Sequence, residues 1–335
     1  MKILIVRFSS IGDIVLTTPV VRCLKKQLPD AEIHFLTKPE YGTILENNPY
    51  IDQLHLLDQP LLKKSLELRQ VGFDVVIDLH NNLRTRILKT IIGVSSYSFE
   101  KLNFEKWVMV NFKIDLLPKI HIVDRYMETI APLGVKNDDE GLDYFVNEKT
   151  LSPDLKTHNY ASPLWNRIDS IPKDEYLVFA IGGNHFTKKL PNEKIISICK
   201  LINEKIVLLG GKEDEANGDT IAKACGENVT NLCGKLSINE SAFMIKHSEK
   251  VITHDTGLMH IASAFKKEII SIWGNTIPEF GMQPYYGRHK TQNFKLETLN
   301  LKCRPCSKIG FDNCPKGHFN CMMLQDVNKI AEVAF

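Results

Sequence analysis

The sequence predicts an α/β protein built from two doubly wound domains. Three observations predict this class: apolar β-branched runs alternate with helix-like stretches, the alternation is interrupted once, and the length suits two cores. Runs such as "ILIV", "DVVIDL" and "KIVLLGG" are typical of buried strands, whereas "EKIISICKLINEK" carries apolar residues at helical spacing. Alternation of this kind favours βαβ units and parallel sheets.

The composition is that of a soluble globular protein. The 335 residues are 43% hydrophobic and 24% charged, and the formal net charge is +2, which argues against nucleic-acid binding. No apolar run reaches the roughly 20 residues that a membrane-spanning helix needs. Arg7 interrupts the apolar start before a signal-peptide core could form. We therefore expect a cytoplasmic protein with at most peripheral membrane contact.

The domain boundary is predicted where the alternation breaks. Residues 137–175 collect Pro, Asp, Asn and Ser, the composition of a connector, and a new series of strands begins at Tyr176. We place an N-terminal domain at 1–165, a C-terminal domain at 166–322 and a terminal helix at 323–335. Ligand-facing loops lie at the strand C-termini of such domains, so a cleft between them is the expected substrate site.

The first candidate loop follows the first strand and reads "SSIGDIVLTTP". Ser10 and Gly12 keep it small, so its backbone can approach a ligand closely. Asp13 precedes a helix predicted from about Ile14 to Leu28, where its simplest role is that of N-cap. The glycine spacing is not GxGxxG, which disfavours a nicotinamide-dependent oxidoreductase.

A second candidate loop, "HDTGLMH", joins a predicted strand to a predicted helix. The free N–H groups of a helix that begins near Thr256 or Gly257 would form an anion site suited to a diphosphate. Asp255 would repel phosphate, so we expect it to accept hydrogen bonds from sugar hydroxyls. A single histidine most often has a structural role. Because His260 lies in the same loop region as Asp255 and Gly257, a contact between His260 and a ligand gains support.

The third candidate loop, "AIGGNHFTKKLP", follows the first strand of the second domain. Gly182 and Gly183 permit a tight turn, and Lys188 and Lys189 follow it. Adjacent lysines usually form a solvated face. Their position at the ligand-facing edge of a parallel sheet favours a functional role here.

These three stretches resemble, in order and spacing, the heptosyltransferases of glycosyltransferase family 9, which build the inner core of lipopolysaccharide. The matching residues are "SSIGD" with the following "TTP", "KKLP" and "DTGLMH", and the resemblance covers nearly the whole chain. It implies a GT-B architecture of two Rossmann-like domains that face each other across a cleft. It also implies inverting transfer of heptose from ADP-heptose to an anionic lipopolysaccharide precursor, without a catalytic metal or other cofactor. Many relatives carry Trp at the position of Leu190.

The resemblance assigns roles to individual residues. Asp13 falls on the proposed catalytic base, and Lys188 falls on the lysine that meets the donor phosphates. An acidic side chain near the ribose is either Asp214 or Glu215, which the sequence leaves open. The implied donor-binding set comprises Ser10, Gly12, Gly182, Gly183, Thr187, Lys188, Asp214, Glu215, Asp255, Thr256, Gly257, Leu258 and His260.

The chemistry of the transfer is consistent with these roles. Departure of ADP leaves an oxocarbenium-like sugar, and the negative charge grows on the diphosphate beside Lys188 and Gly257. The carboxylate of Asp13 could take the proton of the acceptor hydroxyl. Two alternatives remain open: a related transferase that uses another nucleotide sugar, and a non-catalytic nucleotide- or sugar-binding protein in which Asp13 only caps a helix.

Basic residues on the N-terminal-domain loops are candidate contacts for the anionic acceptor and for the membrane surface. Any single one is more typical of a solvated helix face, so the prediction rests on the set. The set comprises Lys63, Lys64, Arg84, Arg86 and Arg125.

The C-terminal segment spaces its cysteines as C-x2-C-x7-C-x6-C, at Cys303, Cys306, Cys314 and Cys321. In a cytoplasmic chain this pattern favours a structural zinc site over disulfides, with His318 as a substitute ligand. Beyond it, Leu324, Val327 and Ile330, with Val333 or Phe335, predict the terminal helix. Such a helix often packs back on the N-terminal domain in GT-B proteins, and we expect this here.

Overall fold

The computed structural model describes residues 1–148, 172 and 175–334 and divides into two compact units. The N-terminal unit comprises Met1–Leu102, Ile120–Phe145 and Tyr285–His289. The C-terminal unit comprises the described residues of Asn103–Lys119, Val146–Pro284 and Lys290–Phe335. The boundary predicted near residue 165 lies outside the described residues, as does Phe335.

The N-terminal unit contains a parallel five-stranded sheet in the order β3-β2-β1-β4-β5. Its central strand is buried from Ile3 to Val6, because a parallel sheet is covered on both faces. The chain adds strands first on one side of β1 and then on the other, so β1 and β4 flank the topological switch point. The strands are β1 (Lys2–Val6), β2 (Glu32–Thr37), β3 (Gln53–Leu56), β4 (Val75–Asp78) and β5 (Ser95–Ser98).

The first half of the chain contributes six α-helices with described bounds, of which α5 belongs to the C-terminal unit. The continuous helix predicted from Ile14 to Leu28 is wrong: a break at Leu16 and Thr17 divides it into two. Pro19 explains the break, because its ring lacks an N–H and would clash with the carbonyl of Val15, where α1 ends. The helices are α1 (Ile11–Val15), α2 (Thr18–Gln27), α3 (Leu61–Gln70), α4 (Leu83–Ile92), α5 (Asn103–Phe112) and α6 (Ile122–Met127).

The C-terminal unit contains a parallel six-stranded sheet in the order β11-β10-β9-β6-β7-β8. Here β6 and β9 flank the switch point, since later strands are added on opposite sides of this pair. The strands are β6 (Tyr176–Ala180), β7 (Lys205–Leu209), β8 (Val229–Asn231), β9 (Lys250–His254), β10 (Glu268–Trp273) and β11 (Asn293–Glu297). The helices are α7 (Asn192–Leu201), α8 (Glu215–Cys225), α9 (Ile238–His247), α10 (Gly257–Ala264), α11 (Asn320–Met323) and α12 (Val327–Glu332).

The end of the chain differs from the single terminal helix that was predicted. It forms α11 and α12, and the carboxylate of Asp326 caps the second by accepting from the N–H groups of Asn328 and Lys329. Leu324 lies between them and is 59% exposed, so it does not join an apolar stripe. Ile330 is buried in the core of the C-terminal unit. Packing of this segment on the N-terminal domain stays a prediction.

No helix in the described ranges is both long enough and apolar enough to cross a bilayer.

Candidate active site

Two of the candidate loops lie side by side at the switch point of the C-terminal sheet. The loop after β6 carries Lys188 and the loop after β9 carries Asp255, and diverging loops at such a point leave a crevice at the carboxyl edge of the sheet. The Nζ atom of Lys188 lies 2.6 Å from Oδ2 of Asp255. The hydroxyl of Thr276, after β10, donates to the same oxygen at 2.9 Å.

The Lys188–Asp255 pair is partly accessible, with side-chain exposures of 17% and 11%. An anion that enters the crevice could therefore take the ammonium of Lys188 from Asp255. The carboxylate would then be available to accept hydrogen bonds from sugar hydroxyls. An ionised phosphate has no hydrogen to donate and could not make such bonds.

Lys189 makes a second ion pair, with Asp214, at 3.0 Å. The Asp214 side chain is 2% exposed, and its other oxygen accepts from the N–H of Gly211 at 3.0 Å. Glu215 instead begins α8 and pairs with Lys212. Asp214 is therefore the carboxylate buried against the loop after β6, although which of the two meets a ribose stays a prediction.

The two glycines of this loop are not equivalent. A Cβ atom at Gly182 would lie 2.6 Å from Oδ2 of Asp214 and 3.0 Å from Cα of Gly210, so only a hydrogen fits there. At Gly183 the nearest atom would be Cγ2 of Thr256, at 3.4 Å. Gly182 thus lets the loops after β6 and β7 approach each other closely.

A cavity of about 400 Å³ opens beside Lys189 and Asp214. Ile181, Leu190 and Met323 contribute apolar wall, and Asp214 and Asn217 contribute hydrogen-bonding groups. Pockets of this size and mixed lining bind small organic ligands. A nucleoside, which has a flat aromatic base and sugar hydroxyls, has the matching chemistry.

The start of α10 completes the crevice. Thr256 is its N-cap residue, but its side chain makes no capping hydrogen bond to the first turn. The first N–H groups of a helix have no partners within that helix, so an anion beside Gly257 could accept from them. Leu258 is partly exposed, whereas His260 is 2% exposed, the environment of a structural histidine. A donor-binding role for His260 remains a prediction.

Thr187, predicted to bind the donor, is engaged within the protein. Its hydroxyl donates to the carbonyl of Phe311 at 3.1 Å and accepts from the N–H of the same residue at 2.8 Å. The guanidinium of Arg304 donates to the carbonyl oxygens of Gly274 at 2.6 Å and Thr276 at 3.0 Å. Residues 304–311 therefore contact the chain immediately before Lys188 and the loop of Thr276, whose hydroxyl donates to Asp255.

His254, at the end of β9, ties its loop to the lysine loop. The N–H of Leu190 donates to Nε2 of His254 at 3.0 Å. Burial, together with the nearby Lys189, lowers the pKa of His254 to about 3, so the ring is neutral and can accept this bond. The sequence alone identified His254 only as the end of a strand.

Asp13 occupies the loop after β1 at the switch point of the N-terminal unit, together with Ser10 and Gly12. It is not the N-cap that the sequence predicted: Ser10 is the N-cap of α1, and Asp13 lies in the first turn. The Asp13 carboxylate accepts from the N–H of Ser10 at 3.2 Å and from its hydroxyl at 2.9 Å. Its other oxygen lies 2.7 Å from Nη2 of Arg7.

The Arg7 pair controls the ionisation of Asp13. Burial opposes ionisation, but the Arg7 guanidinium and the Ser10 hydrogen bonds outweigh it and lower the pKa of Asp13. Arg7 is 8% exposed and also donates to the carbonyl of Leu79 at 2.5 Å and to the Tyr126 hydroxyl at 3.1 Å. Asp13 is therefore an ionised carboxylate held in a fixed orientation.

His80 is a neighbour of this carboxylate that the sequence did not single out. It follows β4 and lies on the other side of the switch point, with its ring centroid 5.0 Å from that of Phe8. Burial and the charge of Arg7 lower the pKa of His80 to about 4, so its imidazole is neutral at physiological pH. The signal that could have identified it is its place after the buried strand "DVVIDL".

The predicted acceptor-binding residues divide into three kinds. Lys63, Arg84 and Arg86 are exposed, and Arg84 lines a cavity of about 410 Å³ together with Lys38. Lys64 is 7% exposed and pairs with Glu67 at 2.8 Å, so its charge is already compensated.

Arg125 is the third kind. It is 3% exposed and donates from Nη1 to the carbonyl of Glu100 at 3.0 Å. Its Nε and Nη2 atoms are buried and make no hydrogen bond within the described residues. Burial lowers the pKa of this guanidinium. Arg125 therefore has donors left over for an additional anionic partner.

A zinc site at the four C-terminal cysteines stays a prediction. The cysteines lie near enough to influence one another's pKa, and burial followed by the other three thiols raises the pKa of Cys321 to about 12. However, no group of three or more His, Cys, Asp or Glu within the described ranges is arranged to hold a metal ion. His318 lies 3.9 Å from the sulfur of Cys303. The set is therefore a cluster of free thiols in this structure.

Two all-parallel α/β units, with a lysine and carboxylates at their switch points, are typical of a GT-B glycosyltransferase. The chain belongs to glycosyltransferase family 9, because the family described as "Glycosyltransferase family 9 (heptosyltransferase)" matches residues 62–310. This match covers the loops that carry Lys188 and Asp255, while Asp13 precedes it. The predicted family resemblance and fold class are confirmed.

Individual relatives agree with this assignment. The chain is 27% identical over 293 residues to lipopolysaccharide heptosyltransferase 1 of Campylobacter coli, which covers 82% of this chain and 84% of the relative. A crystal structure of a glycosyltransferase family 9 protein from Veillonella parvula superposes with a TM-score of 0.77 at 22% identity, over 99% and 96% of the chains. The structure of ADP-heptose lipopolysaccharide heptosyltransferase II from Escherichia coli gives 0.70 at 19% identity, over 100% and 99%. At these identities the two structures establish a shared fold.

Proposed function

We propose that the protein transfers heptose from ADP-heptose, with inversion, to an anionic inner-core precursor of lipopolysaccharide. The observation that carries the proposal is the Lys188–Asp255 pair, which lies at a switch point beside the start of α10 in a family 9 chain. The names of the Campylobacter coli and Escherichia coli relatives support heptose, ADP and lipopolysaccharide as the chemical classes involved.

On the donor side, Lys188 and the first turn of α10 bind the diphosphate. Both positive groups face the charge that develops when the bond between sugar and phosphate breaks, so they stabilise the leaving group. The nucleoside occupies the cavity beside Asp214, whose carboxylate accepts from ribose hydroxyls. Asp255, released from Lys188, accepts from the hydroxyls of the transferred sugar. In this proposal these groups carry the leaving-group stabilisation, and no catalytic metal takes part.

On the acceptor side, Asp13 is the general base. A carboxylate of lowered pKa is a weak base, but it suffices when the acceptor hydroxyl becomes acidic as its oxygen bonds to an oxocarbenium-like carbon. Arg7 keeps the carboxylate ionised and oriented. Attack from the face opposite the leaving ADP inverts the anomeric carbon.

The acceptor is anionic, and the cations of the N-terminal unit are its contacts. Arg84 with its cavity, the exposed Lys63 and Arg86, and the spare donors of Arg125 support this assignment. Lys64 is a weaker candidate because Glu67 already holds it. We place the protein in the cytoplasm, at the inner face of the cytoplasmic membrane, where such a lipid-linked acceptor would be presented.

The decisive experiment is a panel of nucleotide sugars, followed by a transfer assay. A ligand that binds only the folded state raises the melting temperature, so ADP-heptose should raise it more than UDP- or GDP-sugars do. Mass spectrometry of a lipopolysaccharide precursor incubated with ADP-heptose should show one added heptose. Preferential stabilisation by a UDP-sugar would identify a different donor. Binding of ADP-heptose without transfer to any precursor would indicate a binding protein.

A further inference from the structure

Two cysteines of the C-terminal unit, which have no part in the proposed reaction, lie against each other. Cys199 is on α7, and Cys225 is the last residue of α8. The thiol of Cys199 donates a hydrogen bond to the sulfur of Cys225. The thiol of Cys225 donates in turn to the carbonyl of Ile196, one turn before Cys199, at 3.9 Å. Both cysteines are unoxidised in this structure.

The fold holds the two thiols together. The helices α7 and α8 connect β6 to β7 and β7 to β8, so they run in the same direction beside each other. Cys199 and Ile221 belong to the apolar core of the unit, and Cys225 packs against that core. Because side chains in a packed core keep one arrangement, the two sulfurs stay in contact.

The two thiols differ in accessibility and in charge environment. Cys199 is 2% exposed, whereas Cys225 is partly exposed. Burial raises the pKa of both thiols. At Cys225 the nearby Lys200 ammonium and the hydrogen bond from Cys199 act in the opposite direction, because both favour the thiolate. An oxidant therefore reacts first at Cys225, and Cys199 is placed to react with the oxidised sulfur.

The same two helices contribute walls to the cavity beside Asp214. Asn192, Glu193 and Ile195 of α7 line it, and so does Asn217 of α8. At this end the helices are joined by a hydrogen bond from Nδ2 of Asn192 to Oδ1 of Asn217, at 2.9 Å. A covalent bond towards the other end of both helices would hold these two walls at a fixed separation.

We propose that Cys199 and Cys225 form an oxidation site at which a peroxide cross-links α7 to α8 through a disulfide. The Cys225 thiolate attacks one peroxide oxygen and the O–O bond breaks, which leaves a sulfenic acid and, after proton uptake, water. The Cys199 sulfur then attacks the Cys225 sulfur, the S–O bond breaks, and the disulfide and a second water form. The two thiols together lose two electrons and two protons, which one hydrogen peroxide accepts. This inference goes beyond the proposed transfer reaction, since it requires neither donor nor acceptor.

The test oxidises the full, folded chain with hydrogen peroxide. The remaining thiols are then blocked with N-ethylmaleimide, and the protein is digested without reduction for mass spectrometry. We expect a peptide pair joined through Cys199 and Cys225 that dithiothreitol separates. Because a disulfide restricts the unfolded chain, oxidation should raise the melting temperature by at least about 4 °C, and reduction should reverse the rise.

Variants assign these effects to the pair. Cys225→Ser should abolish both the cross-link and the rise in melting temperature, and the partial exposure of Cys225 makes the change compatible with the fold. The matched control is Cys233→Ser, because Cys233 is also buried in this unit but has Asp214 and Lys235, not a cysteine, as the groups that influence its pKa. It should keep both effects.

A third variant traps the intermediate. Cys199→Ala removes the thiol that reacts with the sulfenic acid, so dimedone should label Cys225 in this variant and not in the wild type. Labelling at Cys225 is read from the same digest.

Three results would overturn the proposal: no Cys199–Cys225 peptide after oxidation of the folded chain, a cross-link that forms only in denaturant, or a Cys225→Ser variant that keeps the rise in melting temperature. Because none of these measurements uses a nucleotide or an acceptor, failure of this proposal is distinguishable from failure of the proposed function.

Discussion

Arg7 and Asp13 form an ion pair of 2.7 Å in which the arginine side chain is 9% exposed and the carboxylate 22%. The two residues lie on either side of the turn that leaves β1. The pair therefore links two roles of Asp13, because the charge proposed to accept a proton also compensates a buried guanidinium.

Replacement of Asp13 by Asn tests both roles. Asparagine keeps a hydrogen-bond acceptor for Ser10 but leaves Arg7 without its counter-charge, so we expect a loss of about 1–3 kcal/mol in the free energy of unfolding. Loss of a general base should slow transfer by about 10²- to 10⁴-fold. Urea denaturation and initial rates measure the two effects, with Asp30→Asn, at an exposed aspartate of the same unit, as control. Transfer by Asp13→Asn at the wild-type rate would remove Asp13 as the base.

The same pair predicts how stability depends on pH. The folded-state pKa of Asp13 is lowered, so the stabilisation is complete above the unfolded value of about 3.9 and is lost as pH falls through the lower folded value. The difference in unfolding free energy between wild type and Asp13→Asn should therefore stay constant near neutral pH and shrink in acid. Denaturation curves at a series of acidic pH values check this. A difference that grows as the pH falls would contradict it.

The two adjacent lysines should behave differently when each is replaced by alanine. Lys188→Ala should abolish most of the thermal shift produced by ADP-heptose and slow transfer, with little effect on the ligand-free protein, because Asp255 keeps Thr276 as a donor. Lys189→Ala should lower the free energy of unfolding by about 1–3 kcal/mol, since it leaves the buried Asp214 without its cation. Thermal shifts with and without donor separate the two. Equal effects at both positions would refute the division of roles.

The glycines of the same loop offer a matched pair. Gly182→Ala places a methyl group 2.6 Å from the Asp214 carboxylate, so the loops must move apart, at a cost of about 1–3 kcal/mol and with weaker donor binding. Gly183→Ala meets its nearest atom at 3.4 Å and should change little. Melting temperatures and donor titrations of both variants provide the test. A tolerant Gly182→Ala would show that the loops after β6 and β7 can separate freely.

Much of the fold could be predicted because its central strands are short apolar runs, such as Ile3–Val6. Such runs are more typical of buried parallel strands than of any other kind of element. The edge strands lack this signal. Ser95–Ser98 is polar and mostly exposed, and Val229–Asn231 has only three residues, so pairing with a neighbouring strand rather than local sequence defines them. The single helix predicted after the first loop is wrong because Pro19 cannot continue a helix from the preceding turn.

The candidate site shows a similar division. The sequence identifies the loops that carry Lys188 and Asp255, because strand ends and glycines are local signals. It does not reveal that Lys188 pairs with Asp255, nor that Arg7 holds Asp13, since these contacts join residues from different loops or from across a turn. The membership of Asn103–Lys119 in the C-terminal unit has no local signal either.

The hydrogen bonds of Arg304 and Phe311 have a consequence for how much of the chain end is dispensable. Arg304 donates hydrogen bonds to the loop of Thr276, and the carbonyl of Phe311 accepts one from Thr187, the neighbour of Lys188. A protease cut between Arg304 and Phe311 would leave both sheets complete. It would also remove none of the residues that are proposed to bind the donor. Nucleotide affinity should nevertheless fall, since the lysine loop and the loop of Thr276, whose hydroxyl binds Asp255, would each lose a contact that positions it. The cysteine-bearing segment would then support donor binding by fixing the positions of these two loops.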